Sequence, residues 1–358
     1  MADAYRNPTG DPAILKYYSQ PLYIAVKIRD KVVPRGYSTV ADIYIVNEVD
    51  LRGKLTLELV LSDPGGNPAA TVRQPAASKR QRDEHGETVF TKSWPVTVKG
   101  GEDYGQLLVE GVVLPPADRH GYYRLDARLS DGKGIVCTGY DDIFSVDYMS
   151  GPGISGKGAL VDSTGVIGDF LKKTRGVTLP DFTEDSPQMD YIIIGEHNFR
   201  RLQRTLYPLI MEHVANGATL IVLDHADQWA QQWDNIYEYQ AIQYTGSSSL
   251  GSSGRLFVGR SALLEGLPES QSMSWEYQVF YRGDVWGLDM GRIGNETVAA
   301  LAAQFRKDIL TAVARIPFGN GRIIVSTLSI VPEIGSTKPQ SSVAKKLFLN
   351  FIEYAKKQ

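Results

Sequence analysis

The apolar residues of this chain repeat every two positions as far as about residue 148 and then change rhythm, and one layer of secondary structure cannot satisfy both patterns. From Pro21 to Tyr148, β-branched and aromatic residues alternate with polar ones, the period of a half-buried strand. Candidate strands are PLYIAVKI (21–28), STVADIYIV (38–46), KLTLELVL (54–61), TVFTKSWPVTV (88–98), QLLVEGVVL (106–114), YYRLDARL (122–129) and IVCTGYDDIFSV (135–146). Turn sequences such as DPGGN (63–67) and SDGKG (130–134) separate them. Short strands in this number, with no helical pattern between them, predict an antiparallel β-sandwich of immunoglobulin or fibronectin type. QPAASKRQRDEHGE (74–87) reads as a long solvated loop.

Beyond the glycine stretch GPGISGKG (151–158) the pattern becomes strand then helix, repeatedly. KGALVD (157–162) precedes the amphipathic GVIGDFLKKT, DYIIIGE (190–196) precedes a long helical pattern over 198–217, and ATLIVLDH (218–225) precedes ADQWAQQW. This alternation predicts an α/β unit with a mainly parallel sheet, of glutamine amidotransferase-like or flavodoxin-like type. WEYQVFY (275–281), ILTAVARI (309–316) and RIIVSTLSI (322–330) read as further strands, GSSSLGSSG (246–254) as a loop, and residues 341–357 as a closing helix. The expected division is a lead-in at 1–20, the sandwich at 21–149, a Gly-rich linker at 150–157 and the α/β unit at 158–358. The 358 residues suit two domains.

Several functional classes are disfavoured. A net charge of -3 gives no electrostatic reason to expect nucleic acid or an anionic membrane surface, and no apolar run approaches the ~20 residues that span a bilayer. The single cysteine, Cys137, leaves no disulfide within the chain and no thiolate metal cluster. Gly151, Gly153 and Gly156 match G-x-G-x-x-G, but a dinucleotide site needs those glycines between a strand and the helix that receives the pyrophosphate; here they precede the strand. No cofactor is expected. The N-terminal residues lack the pattern of an export signal and read as the interior of a longer protein.

The candidate site lies where the parallel strands end. Asp162 follows the first, Glu196 and His197 the second, and Asp224 and His225 the third, with Trp229 nearby. Ligands of open α/β sheets collect at such ends, and carboxylates with imidazoles suit a metal or acid/base work. Asp162 and Asp224 equally suit helix N-caps. In an amidotransferase-like arrangement the strand-to-helix elbow carries a nucleophile, yet LIVLD leads into His225-Ala226, and Cys137 is far away in the sandwich. Among Trp94, Trp229, Trp233, Trp275 and Trp286, packing and sugar stacking are both open roles. His85, His120 and His213 make no metal spacing with one another. Asn47-Glu48 mimics a retaining glycosidase's acid/base dipeptide, but this chain lacks the eight alternating units of the barrel that would hold it.

YRNPTGDPAILKYYSQPLYIAVKIRDKVV (5–33), VADIYIVNEVDLRGKLTLELVLSDPGG (40–66), HGYYRLDARLSDG (120–132) and GNGRIIVSTLSI (319–330) resemble the region that follows the catalytic barrel in β-galactosidase-like proteins of glycoside hydrolase family 2. The resemblance implies a non-catalytic accessory region for carbohydrate degradation that supports the barrel in cis or an oligomer and contacts glycan. It places the parent in the periplasm or outside the cell, carries over no catalytic residue, and implies neither metal nor cofactor. The alternatives are a carbohydrate-binding module using exposed aromatics, and a small hydrolase or metal-dependent enzyme working at Asp162, Glu196, His197, Asp224 and His225.

Overall fold

The computed structural model describes residues 19–63, 86–237, 246–249, 255–281, 286–289, 296–302 and 309–356, together with Lys16. The lead-in, most of the 74–87 insertion with His85, and residues 250–254 of the serine-rich stretch lie outside the described residues, while 246–249 of that stretch form a strand and not the expected loop. The chain is β-rich and divides into two compact units, Met1–Asp147 and Tyr148–Gln358.

In the first unit, β1 (Leu22–Ile28), β3 (Val40–Asn47) and β6 (Gly105–Val113) form one antiparallel sheet in the order β1-β3-β6. The second sheet runs β2-β8-β7-β4-β5, from β2 (Val32–Pro34), β8 (Ile135–Val146), β7 (Gly121–Ser130), β4 (Gly53–Ser62) and β5 (Thr88–Val98). Alternation decides which residues turn inward: Leu55, Leu57, Leu59 and Leu61 of β4 and Tyr123, Leu125, Ala127 and Leu129 of β7 are buried against Ile24, Ile43 and Ile45. Each buried leucine or isoleucine among them contributes roughly 1.5–3 kcal/mol by leaving water. All seven expected strands are present; the three-residue β2, parallel to β8, is too short to show periodicity. Gly139 of β8 lies close against β1 of the other sheet, since a Cβ there would lie 1.8 Å from the Ile24 carbonyl oxygen. Arg29 Nε and Nη2 donate to Asp42 at 3.0 and 2.9 Å, which with the Gly111 amide holds that buried carboxyl below its usual pKa.

The second unit holds a ten-stranded sheet. Its parallel part is β9 (Gly158–Val161), β10 (Tyr191–Ile194), β11 (Thr219–Val222) and β18 (Gly321–Ser326), in that order. From β18 onward the pairing is antiparallel through β17 (Ile309–Phe318), β16 (Glu296–Ala302), β13 (Arg255–Val258) and β14 (Gln271–Ser272), with β12 (Gly246–Ser249) and β15 (Trp286–Asp289) attached beside β17. The expected mainly parallel sheet is therefore corrected to a four-stranded parallel part with an antiparallel wing. The wing strands, two to ten residues long, lack the helix-alternating pattern that marked the parallel ones.

Helices α1 (Val166–Arg175), α2 (Phe199–Thr205), α3 (Tyr207–Ala215), α4 (Ala226–Tyr237), α5 (Ile330–Ile334) and α6 (Ser342–Ala355) complete the unit. The single helix expected over 198–217 is two, because Pro208 in the first turn of α3 has no N–H to extend the ladder. Residues 275–281 form a 3₁₀ segment, not the expected strand. The composition is strand-like, but the buried residues Glu276, Tyr277, Val279 and Phe280 follow helical spacing. Ile192, Ile194, Leu220 and Val222 pack with Tyr207, Ile210, Trp229 and Trp233 on one side of the sheet. Phe170 of α1 meets Phe348 of α6 at 5.9 Å.

Candidate functional site

Asp162, at the end of β9, closes α1. Its Oδ2 accepts from the Ile167 amide at 3.0 Å and its Oδ1 from the Thr164 hydroxyl at 2.7 Å, so both oxygens satisfy helix-entry donors. The loop continues through Gly165, which caps α1 in the left-handed region at φ 74°. Ser163 ties this loop to the next strand end, its amide and hydroxyl donating to the Glu196 carbonyl at 2.8 and 2.9 Å. Gly195 permits the approach, since a Cβ there would lie 2.6 Å from Ile167 Cδ1 and 3.0 Å from the Asp162 carboxyl.

His197, His225 and Asp224 form one cluster. His197 Nδ1 lies 2.8 Å from the Gly195 carbonyl, which only accepts, so Nδ1 carries the proton. Burial lowers the pKa of this ring, while the Gly195 hydrogen bond and Asp224 oppose that shift. His225 Nε2 likewise donates to the His197 carbonyl at 3.2 Å, and the two rings stand edge to face at 5.2 Å. Asp224 Oδ2 is 3.4 Å from His225 Nε2 and 3.8 Å from His197 Nδ1. His225 sits at the β11-to-α4 turn with φ 50°, a left-handed value uncommon for a residue with a side chain. The turn from β11 into α4 is thus sharp, and the residue at it is an imidazole.

The strand ends border an open cleft of about 500 Å³. Glu196, Asp224 and His225 line it with the hydroxyl-bearing Thr164 and Ser329; Trp286, Leu328 and Val331 supply apolar surface. No lysine or arginine lines it among the described residues.

Three of the six expected site residues therefore share the cleft. Asp162 is spent on capping, and His197 is buried behind the lining. Trp229 is fully buried, its ring 5.2 Å from that of Tyr207 and 6.2 Å from that of His197. Among the described residues no three His, Cys, Asp or Glu side chains gather as a metal set. His120 Nδ1 accepts the Asp147 amide and His213 Nδ1 the Met189 amide, both structural tasks. Asn47 clasps its own turn through Leu51, its Oδ1 accepting and its Nδ2 donating at 2.9 Å. Sequence reasoning missed Thr164, Leu328, Ser329 and Val331, and named Trp286 only as one of five tryptophans open to packing or stacking. RIIVSTLSI was recognisable as a strand, but not as the neighbour of β11, and Trp286 arrives from the antiparallel wing.

No family model matches the chain, and no curated protein matches it. Weak structural neighbours include glycosyl hydrolase family 2 members. A β-galactosidase from Bacillus circulans sp. alkalophilus is 16% identical with a TM-score of 0.32, the match covering 52% of this chain and 26% of that one. A glycosyl hydrolase family 2 member from Bacteroides cellulosilyticus is 13% identical with a TM-score of 0.24, covering 56% and 25%. The CARDB domain of a Pyrococcus furiosus protein, solved in complex with di-metal ions, is 14% identical with a TM-score of 0.23, covering 35% and 93%. Likenesses at these scores define neither the fold nor the activity of this chain.

Proposed function

We propose that this chain is an accessory region of a glycoside hydrolase family 2 type protein, an immunoglobulin-like sandwich followed by an amidotransferase-like unit, without glycosidase chemistry of its own. The observation that carries the non-catalytic reading is His225 at the elbow. A residue held at φ 50° between strand and helix is where such a unit presents a nucleophile, and neither cysteine nor serine stands there. Asn47 supports the same reading, because its amide is committed to the Leu51 turn and so belongs to the sandwich's structure. The family assignment rests on the sequence segments that resemble the region after the barrel, and it makes a barrel in cis the partner. The purified chain is expected to leave aryl β-galactosides intact. Turnover abolished by Glu48→Gln would overturn the reading.

The second reading, carbohydrate binding, is favoured by Trp286. Trp229 and Trp233 are sealed in the core, and Lys92 Nζ lies 5.0 Å over the ring of Trp94, whereas Trp286 lines an open cleft.

A further inference from the structure

We infer that the cleft at the β11 elbow is a binding site for an uncharged saccharide, stacked on Trp286 and held by Glu196, Asp224 and His225. This deepens the carbohydrate reading and rests on it, but requires no turnover, so binding and hydrolysis fail separately.

The chemistry of the lining selects the ligand. Glu196 and Asp224 offer carboxylate oxygens, Asp224 through Oδ1 because its Oδ2 is buried beside the imidazoles, and these only accept hydrogen bonds when ionised. His225 adds a third acceptor. Its Nε2–H is committed to the His197 carbonyl, so in the neutral ring Nδ1 carries a lone pair, and no hydrogen bond of the described residues occupies it. Among the described residues the lining combines these acceptors with the Thr164 and Ser329 hydroxyls and no lysine or arginine, which suits a ligand rich in hydroxyl groups and disfavours carboxylates, sulfates and phosphates. The apolar wall of Trp286, Leu328 and Val331 complements this rim, because a pyranose presents hydroxyls at its edge and C–H groups on its face. A volume of about 500 Å³ lies within the range of small-molecule pockets and admits a short oligosaccharide.

The left-handed backbone of His225 fits this use. Uncommon backbone conformations persist where surrounding structure fixes them, and they concentrate at ligand clamps and active sites. Here two carbonyl contacts fix the pair of imidazoles, Gly195 to His197 and His197 to His225, so the turn presents His225 in one tautomer.

The test is calorimetric titration of the full chain with methyl β-galactoside, lactose, cellobiose and galacturonate. Saturable heat is expected with at least one neutral sugar in the millimolar range, and a markedly weaker response to galacturonate. Glu196 is exposed, so Glu196→Gln leaves the fold intact and is expected to weaken binding about tenfold, the loss that follows when a charged acceptor is removed. Trp286→Leu keeps apolar volume against the core and is expected to weaken it similarly, while Trp94→Phe in the first unit changes nothing. No heat from any neutral sugar overturns the inference. So does galacturonate bound as tightly as galactoside, or binding that both cleft variants leave unchanged.

Discussion

The conformation of His225 makes a prediction that runs against the usual order of residues. At an ordinary position glycine is less stable than alanine by roughly 0.5–1 kcal/mol, because it has more backbone freedom to lose. At φ 50° the order reverses, since a Cβ in the left-handed region costs about 1–2 kcal/mol that glycine does not incur. His225→Gly and His225→Ala both lose the hydrogen bond to the His197 carbonyl, so that loss cancels between them. The glycine variant should therefore be the more stable by about 1 kcal/mol, or ~2–4 °C in a domain of this size. Urea unfolding followed by tryptophan fluorescence is the assay. Four of the five tryptophans lie beyond residue 147, so the signal reports chiefly the second unit. An alanine variant as stable as the glycine variant, at equal urea slope, would refute the reasoning.

Asp162→Ala should cost about 1–2 kcal/mol, because it strips the Ile167 amide of its side-chain acceptor; an unchanged urea midpoint would show that this contact contributes nothing. Gly139→Ala should destabilise the first unit by roughly 3 kcal/mol or more, because its Cβ must displace the Ile24 backbone; circular dichroism melting would reveal a native-like midpoint if the sheets could simply part. Burial lowers the folded-state pKa of His197, so the contribution of this ring is full above its unfolded value of about 6.5 and is lost as pH falls through the lower folded value. His197→Gln should flatten the acid limb of the stability profile, and urea midpoints between about pH 5 and 8 that keep the same slope would contradict it.

The sandwich was legible because each of its strands is long enough to show alternation. β4 alone places four leucines inward, whereas β2 has three residues and no pattern to read. The parallel strands were legible as YIII and TLIV, runs buried on both faces that only a covered sheet explains. Residues 275–281 were misread because aromatic and β-branched composition outweighed the spacing of Glu276, Tyr277, Val279 and Phe280. The site was half legible. Strand ends identified Glu196, Asp224 and His225, but whether Asp162 faces ligand or a helix amide depends on the tight Gly195 approach, and Trp286 comes from a strand whose place in the sheet no local pattern reveals. Trp229 lay close in sequence to the elbow, yet α4 turns it into the core.

The most direct measurement is a nitrogen–proton spectrum of the tryptophan indoles during titration with a neutral disaccharide. The five tryptophans give separate reporters, and Trp286 alone is placed in the elbow cleft. The account predicts that the Trp286 signal, assigned through Trp286→Leu, shifts and saturates while the signals of Trp94, Trp229 and Trp233 hold still. A spectrum in which Trp286 does not move, or in which Trp94 moves instead, would contradict it.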